Sequence, residues 1–311
     1  MSATPAVHVA VGVIRDGDGN ILLTRRARHA HQGGLWEFPG GKLEADESVA
    51  QALRRELREE VGITVKNAHP LIKINHRYPE LRVLLDVWQV TDFSGTADAR
   101  EGQAMRWVAP QRLSAYTFPA ANLPIITAAR LPDRYAILEG QNAEQVLSNL
   151  ERIVDKQIQL LQLRLKTLPT AAVSAVCEAV LEKCQRRGIR VLLNSDLALS
   201  HRNADGIHLS SRALLACRSR PPHYQWVAAS CHNLSELRHA EQIGADFAVL
   251  APILPTPTHP GARTLGWEAA ANLITRVNLP VFFLGGLELA DMDRARHAGA
   301  RGIAGISAFL T

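Results

Sequence analysis

Gly41-Lys42-Leu43-Glu44-Ala45-Asp46-Glu47 is followed, after seven residues, by Arg55-Glu56-Leu57-Arg58-Glu59-Glu60-Val61-Gly62-Ile63. From Asp46 to Val61 the apolar Val49, Leu53, Leu57 and Val61 recur every four residues, which predicts an amphipathic helix that Gly62 ends. On that helix Glu56 lies one turn from both Glu59 and Glu60, so the carboxylates share a side opposite the apolar stripe. Clustered carboxylates repel one another unless a cation holds them. Hard oxygen ligands suit Mg2+, with Mn2+ as a substitute, and such ions bind substrate phosphates and activate water. The pattern therefore points to a site for a nucleotide or another diphosphate. The run alone also fits a solvated helix face on which Arg54, Arg55 and Arg58 pair with the glutamates; the residues around it separate the two readings. A phosphate-cradling P-loop at Gly41-Lys42 is excluded, because Trp36 stands where the first glycine belongs and Leu43 where Ser or Thr would meet the ion.

Before the helix, the alternating run Val7 to Val13, the turn Asp16-Gly17-Asp18-Gly19-Asn20 and Ile21-Leu22-Leu23 predict a hairpin. Strand-like runs at Leu81 to Val90 and Met105 to Val108 complete a mixed sheet with at least one packed helix. A proline-punctuated stretch, from Phe118-Pro119 through Leu123-Pro124 to Leu131-Pro132, then separates two unlike halves. Beyond it, apolar strands are predicted at Tyr135–Leu138, Ile158–Leu165, Val191–Asn194, Gly206–Leu209, Trp226–Ser230, Phe247–Ala251, Val281–Leu284 and Gly302–Ile306, with helices such as Ala171–Arg187, Leu234–Ile243 and Leu289–Ala298 between them. Eight strands alternating with helices are what closes a (β/α)8 TIM barrel. The expected organisation is α/β throughout, with domains at 1–130 and 131–311.

The composition agrees: 311 residues, 47% hydrophobic and 21% charged, describe an ordinary globular chain and exclude disorder, collagen and coiled coil. The excess of basic over acidic residues is only five and is shared between the halves, with no Lys/Arg block. No nucleic-acid polymer is expected as a partner. Cys177, Cys184, Cys217 and Cys231 form no C-x-x-C pair, hence neither a disulfide framework nor a zinc knuckle. The start lacks a cationic segment ahead of its apolar stretch and no membrane-length apolar run occurs, so the chain reads as cytoplasmic with no membrane partner.

The acidic run and its flanks resemble the Nudix box: G, five residues, E, seven residues, R-E, an aliphatic, any residue, E-E, any residue, G, an aliphatic. All nine specified positions between Gly41 and Ile63 match. The resemblance implies an α/β/α sandwich and metal-dependent attack of water on a diphosphate. It implies Glu56, Glu59 and Glu60 as metal ligands with the Gly41 carbonyl, and Arg55 and Glu47 as the pair that orients them. The base is left open between Glu56 and Glu101. From Val9 to Leu131 the flanks are most similar to MutT-type 8-oxo-dGTP diphosphatases, through Thr24-Arg25-Arg26-Ala27, Glu37-Phe38-Pro39-Gly40-Gly41-Lys42, Arg100-Glu101-Gly102-Gln103 and Phe118-Pro119-Ala120-Ala121-Asn122-Leu123-Pro124. That likeness places Arg26, Phe38 and Asn122 in a nucleobase pocket and Glu101 among the metal-side carboxylates. The implied reaction releases a nucleoside monophosphate and pyrophosphate and removes an oxidised guanine nucleotide. The stretch Tyr78-Pro79-Glu80-Leu81-Arg82 keeps only the aromatic-Pro start of that subgroup's pocket strand.

The second half resembles thiamine phosphate synthase and its relative TenI from Tyr135 to Leu310, through Leu160–Lys166, Ala204–Leu209, Gly244-Ala245-Asp246, Ala251–Thr256 and Leu284-Gly285-Gly286. This implies a barrel with an anion pocket at the strand ends, for which Gln162, Arg164, Lys166, Asn194, Gly286 and Ser307 are the candidates. The pattern departs where a synthase would hold Mg2+: Asn194-Ser195-Asp196 replaces Asn-Asp-Arg, and Ser210-Ser211-Arg212-Ala213 replaces a Gly-Gln-x-Asp stretch. His259 takes a lysine's place, and Pro252 stands where TenI-type proteins can carry a catalytic His. The expectation is a retained scaffold with a phosphate or thiamin-phosphate-like ligand, in which Cys231 and His232 fill the barrel rather than act as a nucleophile pair. Two alternatives stay open: a thiamin-pathway diphosphate such as hydroxymethylpyrimidine diphosphate as the hydrolase substrate, and the barrel as a ligand sensor or homodimer scaffold.

Overall fold

A computed structural model describes residues 6–28, 32–197, 203–256 and 261–310. The chain divides into two compact units, Met1–Leu131 and Pro132–Thr311. Among the described residues no helix is long and apolar enough to cross a membrane.

The first unit contains β1 (Ala6–Ile14), β2 (Ile21–Arg25), β3 (Trp36–Glu37), β4 (Gly40–Lys42), α1 (Val49–Val61), β5 (Thr64–Arg77), β6 (Arg82–Ser94), β7 (Met105–Val108) and α2 (Leu123–Arg130). A mixed four-stranded sheet runs β4-β1-β6-β5, with β1 parallel to β6, and a second sheet runs β3-β2-β7. Residues on β1 alternate between two cores. Ala10 and Ile14 pack under α1 with Leu53, Leu57 and Val61, whereas Val11 and Val13 join Val87, Ile125 and Ala128 in the core beside α2. Gly12 lets α1 approach, since a Cβ there would lie 2.9 Å from Leu57 Cδ1. The result is a layered α/β/α unit.

The expected hairpin between β1 and β2 does not form. Its turn exists, with the Asp16 carboxylate accepting the Asn20 amide at 2.8 Å, but only an isolated bridge, Arg15 to Ile21, joins the flanks. Because β1 is apolar on both faces, it lies inside the four-stranded sheet between β4 and β6, while β2 pairs with β3 and β7. The acidic helix also starts later than its periodicity suggested. Ser48 caps it, in a capping box with Gln51, and Asp46 adopts φ 62° ahead of the first turn.

The second unit closes eight parallel strands into a barrel. These are β8 (Arg134–Leu138), β9 (Leu160–Leu163), β10 (Arg190–Asn194), β11 (Gly206–Leu209), β12 (Trp226–Cys231), β13 (Phe247–Leu250), β14 (Val281–Phe283) and β15 (Gly302–Gly305). Helices α3 (Ala143–Asp155), α4 (Thr170–Arg186), α5 (Ser211–Ala216), α6 (Leu234–Gln242), α7 (Gly266–Ile274) and α8 (Met292–His297) lie between them. The segment read as one helix from Leu289 is a 3-10 turn, Leu289–Asp291, that runs into α8. Every second strand residue points inward. Tyr135, Phe247 and Phe282, all fully buried, meet there with ring centroids 5.2 to 5.8 Å apart, so the interior is a packed core and not a channel.

Candidate active site

Helix α1 presents its carboxylates beside a glycine corner. At Gly41 a Cβ would fall 2.1 Å from the Glu56 Cδ atom, so glycine is what lets this carboxylate lie against the backbone. Arg55 gathers the acidic residues from the other side. Its guanidinium donates twice to Glu47, at 3.0 and 2.8 Å, to Glu56 at 2.8 Å, to Glu59 at 3.4 Å and to the Lys42 carbonyl at 3.1 Å. These contacts hold the Glu47 carboxyl below its ordinary pKa and raise that of Arg55.

Glu60 is not among the partners of Arg55 and accepts the Gly40 amide at 2.9 Å. It lines an open cleft of about 350 Å3 with Glu37 and Glu101, and Arg25, Arg26 and Arg28 line the same cleft. Burial, then the like charges of Glu37 and Glu101, push the Glu60 carboxyl up to about 7, against the pull of the Gly40 amide and the Thr24 hydroxyl. Arg26 forms an ion pair with Glu37, whose own pKa is raised by burial in spite of that partner. Gln103 ties the cleft to α1, its side-chain amide donating to the Glu60 carbonyl at 3.0 Å while its carbonyl accepts the Glu101 amide at 3.0 Å.

Glu60 and Glu101 thus share a cleft, whereas Glu56 and Glu59 are drawn toward Arg55. Among the described residues no three His, Cys, Asp or Glu side chains are preassembled around one ion position. The set nevertheless suits a hard divalent cation: the donors are oxygens, the corner at Gly41 leaves its backbone close to Glu56, and Glu60 carries a repulsion that a cation relieves. Glu37 and Thr24, which face each other across the β2–β3 ladder, were missed by sequence reasoning. The signal lay in Thr24-Arg25-Arg26 and Glu37-Phe38, where strand pairing, invisible in one dimension, sets a carboxylate opposite the hydroxyl.

Of the three base-pocket candidates, only Arg26 lines this cleft. Phe38 is 3% exposed and stacks on Phe118 at 5.6 Å. Asn122 is buried in the 3-10 turn Ala120–Asn122 that precedes α2.

In the barrel, Gln162 and Asn194 are buried at the ends of β9 and β10, and Gly286 and Ser307 follow β14 and β15, which β8 separates from β9 around the sheet. Lys166 is exposed, and Arg164 is paired with Glu139 at 2.7 Å. Among the described residues, those after β10 and β11 do not fit a divalent-cation site. The Asp196 carboxylate accepts the Ser210 hydroxyl at 2.9 Å and faces Arg212 at 3.5 Å, so its charge already has partners. Cys231 is buried with its thiol pKa pushed up, while His232 turns outward to Glu236 at 3.0 Å; they form no nucleophile pair. His259 lies outside the described residues.

Residues 10–128 match the NUDIX domain model, and residues 134–309 match the model for thiamine monophosphate synthase. The 8-oxo-dGTP diphosphatase of Escherichia coli K12 is 41% identical over 120 residues, which are 39% of this chain and 93% of that protein. The CTP pyrophosphohydrolase of the same organism is 42% identical over 118 residues, 38% of this chain and 87% of that one. The thiamine-phosphate synthase of Thermus thermophilus is 32% identical over 178 residues, 55% of this chain and 84% of its own.

Proposed function

The chain belongs through its first half to the Nudix hydrolases and through its second to the thiamine monophosphate synthase family, and from that premise we propose that it hydrolyses 8-oxo-dGTP, or a related purine nucleoside triphosphate, to the monophosphate and pyrophosphate. Membership makes the first unit a pyrophosphohydrolase. The observation that carries the finer reading is the cleft that Glu37, Glu60 and Glu101 line together with Arg25, Arg26 and Arg28. The carboxylates suit a cation, and the guanidinium groups suit the charge of a polyphosphate.

In this reading Glu56, Glu59, Glu60 and Glu101, with the Gly41 carbonyl, would hold Mg2+ or Mn2+. The bound ion offsets phosphate charge and lowers the pKa of water. Arg55 and Glu47 keep Glu56 and Glu59 turned toward the corner, and Glu56 or Glu101 accepts the proton of the attacking water. Arg26 and Asn122 orient the base, the Asn122 amide offering both a donor and an acceptor to a purine edge. The expected role is removal of oxidised nucleotide before a polymerase uses it.

A pyrimidine triphosphate is the second reading, because the CTP pyrophosphohydrolase matches this unit as well as the 8-oxo-dGTP enzyme does. The barrel, with its acidic position occupied by Ser210 and Arg212 contacts, serves as an accessory unit that binds a phosphate-bearing ligand. Steady-state hydrolysis with Mg2+ of 8-oxo-dGTP, dGTP, CTP, thiamin diphosphate and hydroxymethylpyrimidine diphosphate, with Glu59→Gln as control, tests these assignments. Preference for 8-oxo-dGTP, lost in the variant, supports the first. Preference for CTP or a thiamin-related diphosphate replaces the substrate and keeps the acidic helix, and undiminished activity in the variant removes the site itself.

A further inference from the structure

The barrel interior holds a chain of hydrogen bonds that the hydrolase does not use. Tyr135 Oη meets His208 Nδ1 at 2.9 Å, and His208 Nε2 meets Ser230 Oγ at 2.8 Å. Tyr135 on β8 and His208 on β11 are three strands apart around the closed sheet, so the chain crosses the interior. Tyr135 is sealed below by Phe247 and Phe282 and is 0% exposed, as His208 is 1%. Ser230, at the C-terminal end of β12, is partly exposed at the mouth.

The proton order along this chain follows from counting donors. Burial, and the charge of Arg164, hold the His208 pKa down to about 3, so the ring is neutral, with one N–H and one lone pair. If Nδ1 carried the proton it would donate to Tyr135 Oη, and the tyrosine's own proton would need another acceptor. Tyr135 has none among the described residues and no access to solvent. A buried unsatisfied hydroxyl is disfavoured by roughly tenfold or more in population. In the other order each bond is satisfied: Tyr135 donates to Nδ1, Nε2–H donates to Ser230 Oγ, and the Ser230 proton is left for the mouth.

We propose that Tyr135 and His208 are positioning residues that fix Ser230 as an outward hydrogen-bond donor, ordered by its protons and unable to act as a nucleophile. A nucleophilic serine needs the Nε2 lone pair as its base, and here that nitrogen bears the proton. The assignment rests on the reading of the barrel as a binding unit and adds which atom offers a donor and what prevents covalent chemistry there.

Full-length protein labelled with 15N-histidine tests this through long-range 1H–15N correlations at pH 7, with His208→Gln to assign the signal. The Nε2–H tautomer is expected at ten to one or better, and Tyr135→Phe is expected to let the second tautomer appear. An Nδ1–H ring in the wild-type protein, or an unchanged single tautomer in Tyr135→Phe, overturns the proposal. A fluorophosphonate probe is expected to leave Ser230 unlabelled by intact mass; labelling that disappears in Ser230→Ala overturns it as well. Titration with inorganic phosphate separates the two levels of the argument. An Nε2–H ring with no phosphate binding removes the ligand reading of the barrel and leaves the proton order standing, whereas Nδ1–H with binding does the reverse.

Discussion

Arg55 and Glu47 are joined by two parallel hydrogen bonds, Nε to Oε1 at 3.0 Å and Nη2 to Oε2 at 2.8 Å, which leaves Nη1 directed at Glu56 and Glu59. One planar cation thus anchors on a carboxylate ahead of α1 and orients two carboxylates on it. Lysine keeps the charge and loses the fork. Arg55→Lys is expected to reduce kcat/KM by about 10- to 100-fold, the range found when groups that orient metal ligands are altered. Circular dichroism should show an intact fold, and the activity profile against Mg2+ should shift to higher concentration. Wild-type Mg2+ dependence in the variant would show that the fork does not set the ligands.

Gly41 and Glu56 make a second dependence. A methyl group at 41 would enter the Glu56 carboxylate, 2.1 Å from Cδ, and that carboxylate cannot back away without breaking its contact with Arg55. Gly41→Ala is expected to lower kcat by about 100-fold or more, the scale of a misplaced catalytic group. Its unfolding midpoint should stay near that of the native chain, because the displaced atoms are the far end of a flexible, partly exposed side chain and not backbone. Equal activity of the two proteins would disconnect the corner from the chemistry.

The helix, its stripe and the glutamate spacing were legible because each depends on residues within one turn of one another. Seven of the eight barrel strands lie within one residue of their apolar runs at either end, as at Gly206–Leu209 and Trp226–Cys231; the run Ile158–Leu165 extended two residues past its ladder at each end because Ile158 and Leu165 are apolar and buried yet outside it. What could not be read depends on partners distant in sequence. Asp16 to Asn20 form the turn of a hairpin, yet β1 joins β6, some 75 residues on, because both its faces need cover. The cleft was equally hidden: the opposition of Glu37 to Thr24 and the reach of Gln103 to the Glu60 carbonyl arise only once the β2 ladder is in place. Phe38 adds a second case: a resemblance assigns it to a pocket, while its stacking on Phe118 emerges only from packing.

Phe38 yields a test that separates packing from base recognition. As a core residue packed on Phe118, it contributes buried area and ring contact, so Phe38→Leu is expected to lower stability by about 1–2 kcal/mol. The KM for the preferred nucleotide should change by less than roughly twofold, since a core ring supplies no direct contact with the substrate. Urea denaturation and steady-state kinetics on the same preparation check both numbers. A KM raised about tenfold at unchanged stability would return Phe38 to the base pocket.

His208 makes the stability of the barrel depend on pH, with a sign fixed by its burial. Its pKa is about 3 in the folded chain against an ordinary 6.5, so between these values the unfolded chain binds a proton that the native ring does not. The contribution is therefore fully present above about pH 6.5 and is lost as the pH falls toward 3, at up to about 1.4 kcal/mol per pH unit. From pH 7.5 to pH 5 the loss attributable to this one residue should be about 2 kcal/mol. His208→Gln retains a donor and an acceptor but cannot titrate, and should remove that part of the pH dependence while lowering stability at pH 7.5. Because the two units need not unfold together, the readout should be hydrogen exchange of the β11 and β12 amides under graded urea, which reports the barrel alone. The same pH dependence in both proteins would mean that the imidazole is reached by water or is already charged, and the proton order inferred for Tyr135, His208 and Ser230 would fall with it.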